Sequence, residues 1–256
     1  MNLYRYASPQ AFFPLAGRML PWFVAAAALL AVAGLVIGFL LAPADFQQGE
    51  VYRIIFIHVP SAWMAMFVYL VMAGYSVLTL ALRARLSAMM TLALAPTGAL
   101  MAAIALWTGA LWGKPTWGTY WAWDARMTST LILLFLYLGY LALVSAIEDT
   151  QRADRAGAVL VLVGVVNVPI IYFSVRWWNT LHQGASVTPT GGSSMAAIML
   201  QGMLVMTLAA WCYCIACALH RVRSIILERE GHSHWVRRLV AAPPRGSSLQ
   251  EAGSRT

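Results

Sequence analysis

Residues 112–126 read W-G-K-P-T-W-G-T-Y-W-A-W-D-A-R and lie between two long apolar runs. Four tryptophans, a tyrosine, two glycines, a proline, one acid and two bases share these fifteen positions. Proline lacks an amide donor and glycine is conformationally loose, so Pro115, Gly113 and Gly118 predict a loop or a short broken segment. Flat aromatic faces with a few charges at their rim suit a large, flat, apolar ligand with acidic edges.

The runs on either side set the fold class. The chain has 256 residues, 61% of them hydrophobic and only 10% charged, a composition of membrane proteins. A bilayer crossing needs roughly 20 apolar residues. Six such segments are expected near 20–41, 59–82, 91–111, 128–147, 157–175 and 195–219. The expectation is an all-α integral membrane protein of six transmembrane helices with short outer-face loops. Residues 1–19 form a cytoplasmic arm, 20–219 the membrane domain with its tryptophan-rich outer loop at 112–127, and 220–256 a basic, partly disordered cytoplasmic tail. The first apolar run lacks a small-residue cleavage site and reads as a retained span.

A net charge of +8 raises the question of a nucleic-acid partner. With the N-terminus on the cytoplasmic side, thirteen arginines fall inside, and only Arg53, Lys114, Arg126 and Arg176 fall outside. That bias sets membrane orientation and needs no nucleic acid. Cys212, Cys214 and Cys217 lie within the last span and read as small packing residues. His232 and His234 lack two further ligands nearby for a metal site.

Tryptophan is expected at both membrane interfaces as an anchoring belt. Eight of the eleven tryptophans fall at or near the outer side in this reading. The imbalance argues for a binding platform. His58 precedes the second span, before Pro60, and His182 follows the fifth. Val51–Ile57 ahead of His58 reads as a short amphipathic segment lying on the outer surface. Two outer imidazoles beside an aromatic floor can serve as axial ligands to a haem iron. The outer bases can pair with haem propionates, or equally with lipid head groups and Asp124. Asp124 also suits the cap of the fourth helix.

Missing motifs narrow the function. No phosphate-binding Gly-rich loop with Lys-Ser/Thr is present, so ATP hydrolysis is not expected of this chain. No C-x-x-C-H is present, so a c-type cytochrome is not expected either. No ionisable residue lies at the centre of a span, which disfavours a proton-coupled transporter.

The run W-G-T-Y-W-A-W-D-A-R-M-T-S resembles the tryptophan-rich "WWD" signature of haem-handling membrane proteins of cytochrome c maturation. With six spans and the two flanking histidines, the resemblance is to the haem exporter protein C (CcmC) family, over about residues 15–225. Tyr120 departs from the commonest pattern, which has tryptophan there. The resemblance implies haem b bound as cargo on the periplasmic face of a bacterial inner membrane, with no catalytic turnover. His58 and His182 would be the axial ligands. Trp112, Trp117, Gly118, Trp121, Trp123 and Asp124 would line the site, with Arg53, Arg126 and Arg176 at its rim. Implied partners are a periplasmic haem chaperone, ATP-binding-cassette transporter subunits, a small single-span membrane subunit and membrane lipid. Two other classes stay open: a haem-ligating membrane oxidoreductase subunit, and a permease for a small apolar or zwitterionic substrate.

Overall fold

The computed structural model describes residues 7–182 and 195–241, together with the backbone of Val187–Thr188 and Gly192–Ser193. The first six residues of the expected arm, most of 183–194 and the 242–256 part of the expected tail lie outside the described residues.

Six helical crossings are long and apolar enough to span a membrane. Helix α1 covers Pro9–Leu35 and runs on into a π-helical turn, Val36–Leu41. A 3₁₀ turn, Glu50–Ile54, leads into α2, Ile55–Leu82. Helix α3 covers Arg85–Trp117 and α4 covers Ala125–Ala146. The fifth crossing is split into α5, Thr150–Gly164, and α6, Asn167–Trp177. Helix α7, Ala197–Arg229, makes the sixth crossing, and a short α8 follows at His234–Ala241. Val187–Thr188 and Gly192–Ser193 pair as a small antiparallel ribbon between α6 and α7.

Several boundaries differ from the sequence reading, each for a local reason. Helix α1 starts inside the expected arm because Ser8 caps it, accepting from the Ala11 amide, with Pro9 at the first helical position. The eight residues left between the expected second and third spans shrink to Arg83 and Ala84, since Arg83 takes the left-handed conformation at φ 50° and reverses the chain at once. Helix α3 continues through Pro115 to Trp117, so the first part of the expected loop is helical. There the Thr116 hydroxyl donates to the Trp112 carbonyl, and left-handed Gly118 ends the helix by donating to Lys114. The segment before His58 is two-sided: Tyr52, Ile55 and Phe56 are buried against the bundle, while Glu50 and Val51 are exposed.

Small residues let the helices close up. A side chain at Gly98 would collide with the ring of Tyr137, whose hydroxyl donates to the Ala65 carbonyl at 2.7 Å. Tyr137 in turn meets Tyr69 edge-on, with ring centres 5.1 Å apart. These rings centre the main core between α2, α3 and α4. At one end of the bundle, Phe13, Leu86 and Ile226 join α1, α3 and α7, and Arg229 pairs with Asp154 through two hydrogen bonds of 3.0 and 3.1 Å. This is the basic end. At the opposite end Tyr52, Phe56 and Met203 form a smaller core against which Trp112 packs. Both predicted ligand histidines lie at that opposite end.

Candidate functional site

His58 sits in the first turn of α2, where a helix already holds its backbone. Its Nδ1 lies 3.0 Å from the Thr108 hydroxyl on α3. That hydroxyl gives its own proton to the Ile104 carbonyl at 2.6 Å. It therefore accepts from the histidine, which fixes the Nδ1–H tautomer and leaves a lone pair on Nε2. Gly109 allows this approach, for a methyl there would sit 3.0 Å from the ring's Cε1. The Trp112 indole meets the His58 ring edge-on at 5.6 Å and donates its Nε1–H to Gln48 at 2.7 Å.

His182 arrives from the other side, on the chain leaving α6. Its ring centre is 5.0 Å from that of Trp117 and 6.2 Å from that of His58. Its Nδ1 is buried and has no hydrogen-bond partner among the described residues. A buried polar atom left unpaired costs free energy unless a ligand satisfies it. Burial, reinforced by the Arg126 guanidinium and by His58, pushes the His182 pKa down to about 3. The ring is neutral at physiological pH, as a metal ligand must be.

Asp124 joins the two sides of the site. One carboxylate oxygen accepts the Met127 amide at 2.7 Å and caps α4. The other accepts the Leu181 amide at 3.2 Å, immediately before His182. The cap expected from sequence is present, and the same side chain also holds the backbone next to His182. Arg126 lines the same small cavity as both histidines and donates to the Ser174 hydroxyl of α6 at 3.2 Å.

The remaining predicted residues divide. Trp121 and Trp123 pair edge-on at 5.3 Å in the loop after Gly118, and Trp123 is 78% exposed. Arg176 is exposed in the last turn of α6. Arg53 is not among the residues that line the histidine cavity: it pairs with Glu50 and donates to the Gly38 and Ala42 carbonyls, in and just after the π-helical turn. Trp107, counted with the outer tryptophans, lies ten residues before the end of α3, about 15 Å along the axis, and is largely exposed on the bundle's flank. Among the described residues no cluster of three or more His, Cys, Asp or Glu side chains gathers. Thr108, Gly109 and Gln48 escaped the sequence reading. Thr108 and Gly109 lie in an apolar run, and nothing in that run ties either to a histidine fifty positions away.

Six membrane-length helices that bring two histidines together beneath an indole-rich loop define a multi-span membrane protein with a paired-imidazole site at one end. The chain belongs to the heme exporter protein C family, whose model matches residues 2–237. It is 48% identical to heme exporter protein C of Bradyrhizobium diazoefficiens over 255 residues, covering 100% of this chain and 96% of that protein. It is 42% identical to heme exporter protein C of Escherichia coli K12 over 244 residues, covering 93% and 96%. It is 44% identical to the Paracoccus denitrificans protein of the same name over 230 residues, covering 90% and 95%.

Proposed function

We propose that this protein binds haem b between His58 and His182 as cargo and presents it for cytochrome c-type biogenesis. The observation that carries this reading is the 6.2 Å between the two ring centres, with an available nitrogen on each ring. A metal–imidazole bond of about 2 Å puts a ring centre roughly 3 Å from the metal, so two rings about 6 Å apart suit one shared metal. The rings of Trp112 and Trp117 flank the pair, and Arg126 supplies a cation for a propionate.

The two ligands differ in how they are held. His58 is fixed on a helix by Thr108, whereas Leu181 beside His182 is anchored to Asp124 by one backbone hydrogen bond. His182 is the ligand that yields its place, admitting an incoming ligand from a periplasmic haem chaperone while His58 keeps the iron. Apart from coordination at the iron, no bond of the cargo is made or broken by this chain, which acts as a presenting subunit with no turnover of its own. It works in the bacterial inner membrane with the site facing the periplasm and both termini in the cytoplasm. Its complex includes ATP-binding-cassette transporter subunits and a small single-span subunit, and ATP is used by those partners.

The test is the visible spectrum of detergent-purified protein beside His58→Ala and His182→Ala. The parent is expected to show a Soret band that weakens or shifts in both variants. A parent without haem despite ample supply, or variants that match it, would overturn the assignment.

A further inference from the structure

A second cavity, of about 660 Å³, opens between α1, α2, α3 and α7, and neither His58 nor His182 lines it. Its lining is almost wholly apolar: alanines of α1 and α7, among them Ala28, Ala31 and Ala210, alternate with larger side chains such as Phe56, Met101 and Met206. Arg221 is the one charged residue lining it, placed at the end nearest the basic end of the bundle beside His220. Arg221 is steered there by donating to the hydroxyl of Thr97, which is fully buried on α3.

We propose that this cleft binds one anionic glycerophospholipid, its phosphate on Arg221 and one acyl chain along α7. Met206 and Arg221, which mark the cavity's extent on α7, are fifteen residues apart, about 22 Å along the helix. The hydrocarbon of one leaflet is about 15 Å thick, so a single chain fits to its terminal methyl. A basic pocket between membrane helices recognises an acidic head group, while the alanine walls accept the chain. One guanidinium at one end and apolar surface elsewhere match a single phosphate better than a flat ligand with two carboxylates. The lipid would fill the space that small residues leave between α1 and the rest of the bundle.

The experiment is native mass spectrometry of the full chain, delipidated in detergent and offered phosphatidylglycerol or phosphatidylcholine. The parent is expected to retain one phosphatidylglycerol at least about fivefold more than phosphatidylcholine. Arg221→Gln should lose that preference, and Arg221→Lys should keep most of it. Ala210→Phe, which leaves the arginine in place and fills the cleft, should lose retention even if Arg221→Gln fails to fold. Equal retention of the two lipids would overturn the proposal, as would retention by Ala210→Phe at the parent's level. Displacement of phosphatidylglycerol by added haem in the His58→Ala protein would overturn it too, and would assign the cleft to a carboxylate-bearing ligand.

Discussion

Asp124 and Leu181 are fifty-seven residues apart in sequence, yet a carboxylate oxygen of the first accepts the backbone amide of the second at 3.2 Å. The same carboxylate caps α4, so the start of one crossing and the position of His182 depend on a single side chain.

Replacing Asp124 with Ala should therefore do two separable things. Loss of the cap should lower stability by about 1 kcal/mol, read from thermal denaturation in detergent. Loss of the Leu181 anchor should reduce haem retention as far as His182→Ala does. Asp124→Ser restores a cap but is too short to reach Leu181 as well. It is expected to recover stability without recovering haem, and recovery of both would show that capping alone matters.

Thr108→Val removes the acceptor that holds the His58 Nδ1–H. Partners of this kind orient a ligating ring, and their loss typically costs about 10- to 100-fold in metal affinity. A haem titration should show a loss of that order, with Thr108→Ser close to the parent. Unchanged affinity in Thr108→Val would mean that packing against Trp112 suffices to aim His58.

His182 also makes the stability of the haem-free protein depend on pH. Its ordinary pKa of 6.5 is pushed down to about 3 in the folded chain by burial, Arg126 and His58. Below pH 6.5 the unfolded chain binds a proton at this residue and the folded chain does not. This contribution is thus fully present above pH 6.5 and lost steadily as pH falls towards 3. Denaturation midpoints measured across that window should fall more steeply for the parent than for His182→Gln. Parallel slopes would refute the assignment.

The pair Asp154–Arg229 is largely removed from solvent, at 14% and 17% side-chain exposure, and joins α5 to α7 at the basic end. Removing one partner strands the other charge, a loss of about 3 kcal/mol or more for a buried pair. Asp154→Asn should therefore lower thermal stability sharply, while haem bound by the surviving folded protein keeps the parent's spectrum. A changed spectrum would mean that the two ends of the bundle are coupled.

Much of this was legible from the residues. Apolar run length gave six crossings, and the isolation of His58 and His182 outside the span centres marked them as a pair. The boundaries were harder, because tertiary contacts overrode local propensity. Pro115 and Gly113 look like helix breakers, yet Pro115 lies in the helix's last turn, where the Thr116 hydroxyl donates to the Trp112 carbonyl and the Gly118 amide to that of Lys114. Gly113 is small because the Thr119 carbonyl and the Trp117 ring lie 3.0 Å from where its Cβ would be. Arg53 looked like a propionate partner from its position in an outer loop. Only the fold reveals that a π-helical turn presents carbonyls to it. The Thr108–His58 contact joins residues fifty positions apart and leaves no local trace.

The interruption between α5 and α6 has its own local cause and its own mechanical result. Pro169 cannot donate to the Val165 carbonyl, and Asn167 spends its side-chain amide on the Ser129 carbonyl of α4 at 2.8 Å. The eleven residues of α6 thereby form a separate arm, about 16 Å long, that begins after Val165–Val166 and is held to α4 by Arg126 on Ser174, with His182 five residues beyond its end. A swing of about 10° moves that end by roughly 3 Å, more than the length of an imidazole–metal bond. On the proposed reading, a small rotation of α6 would therefore be enough to move His182 away from a metal shared with His58.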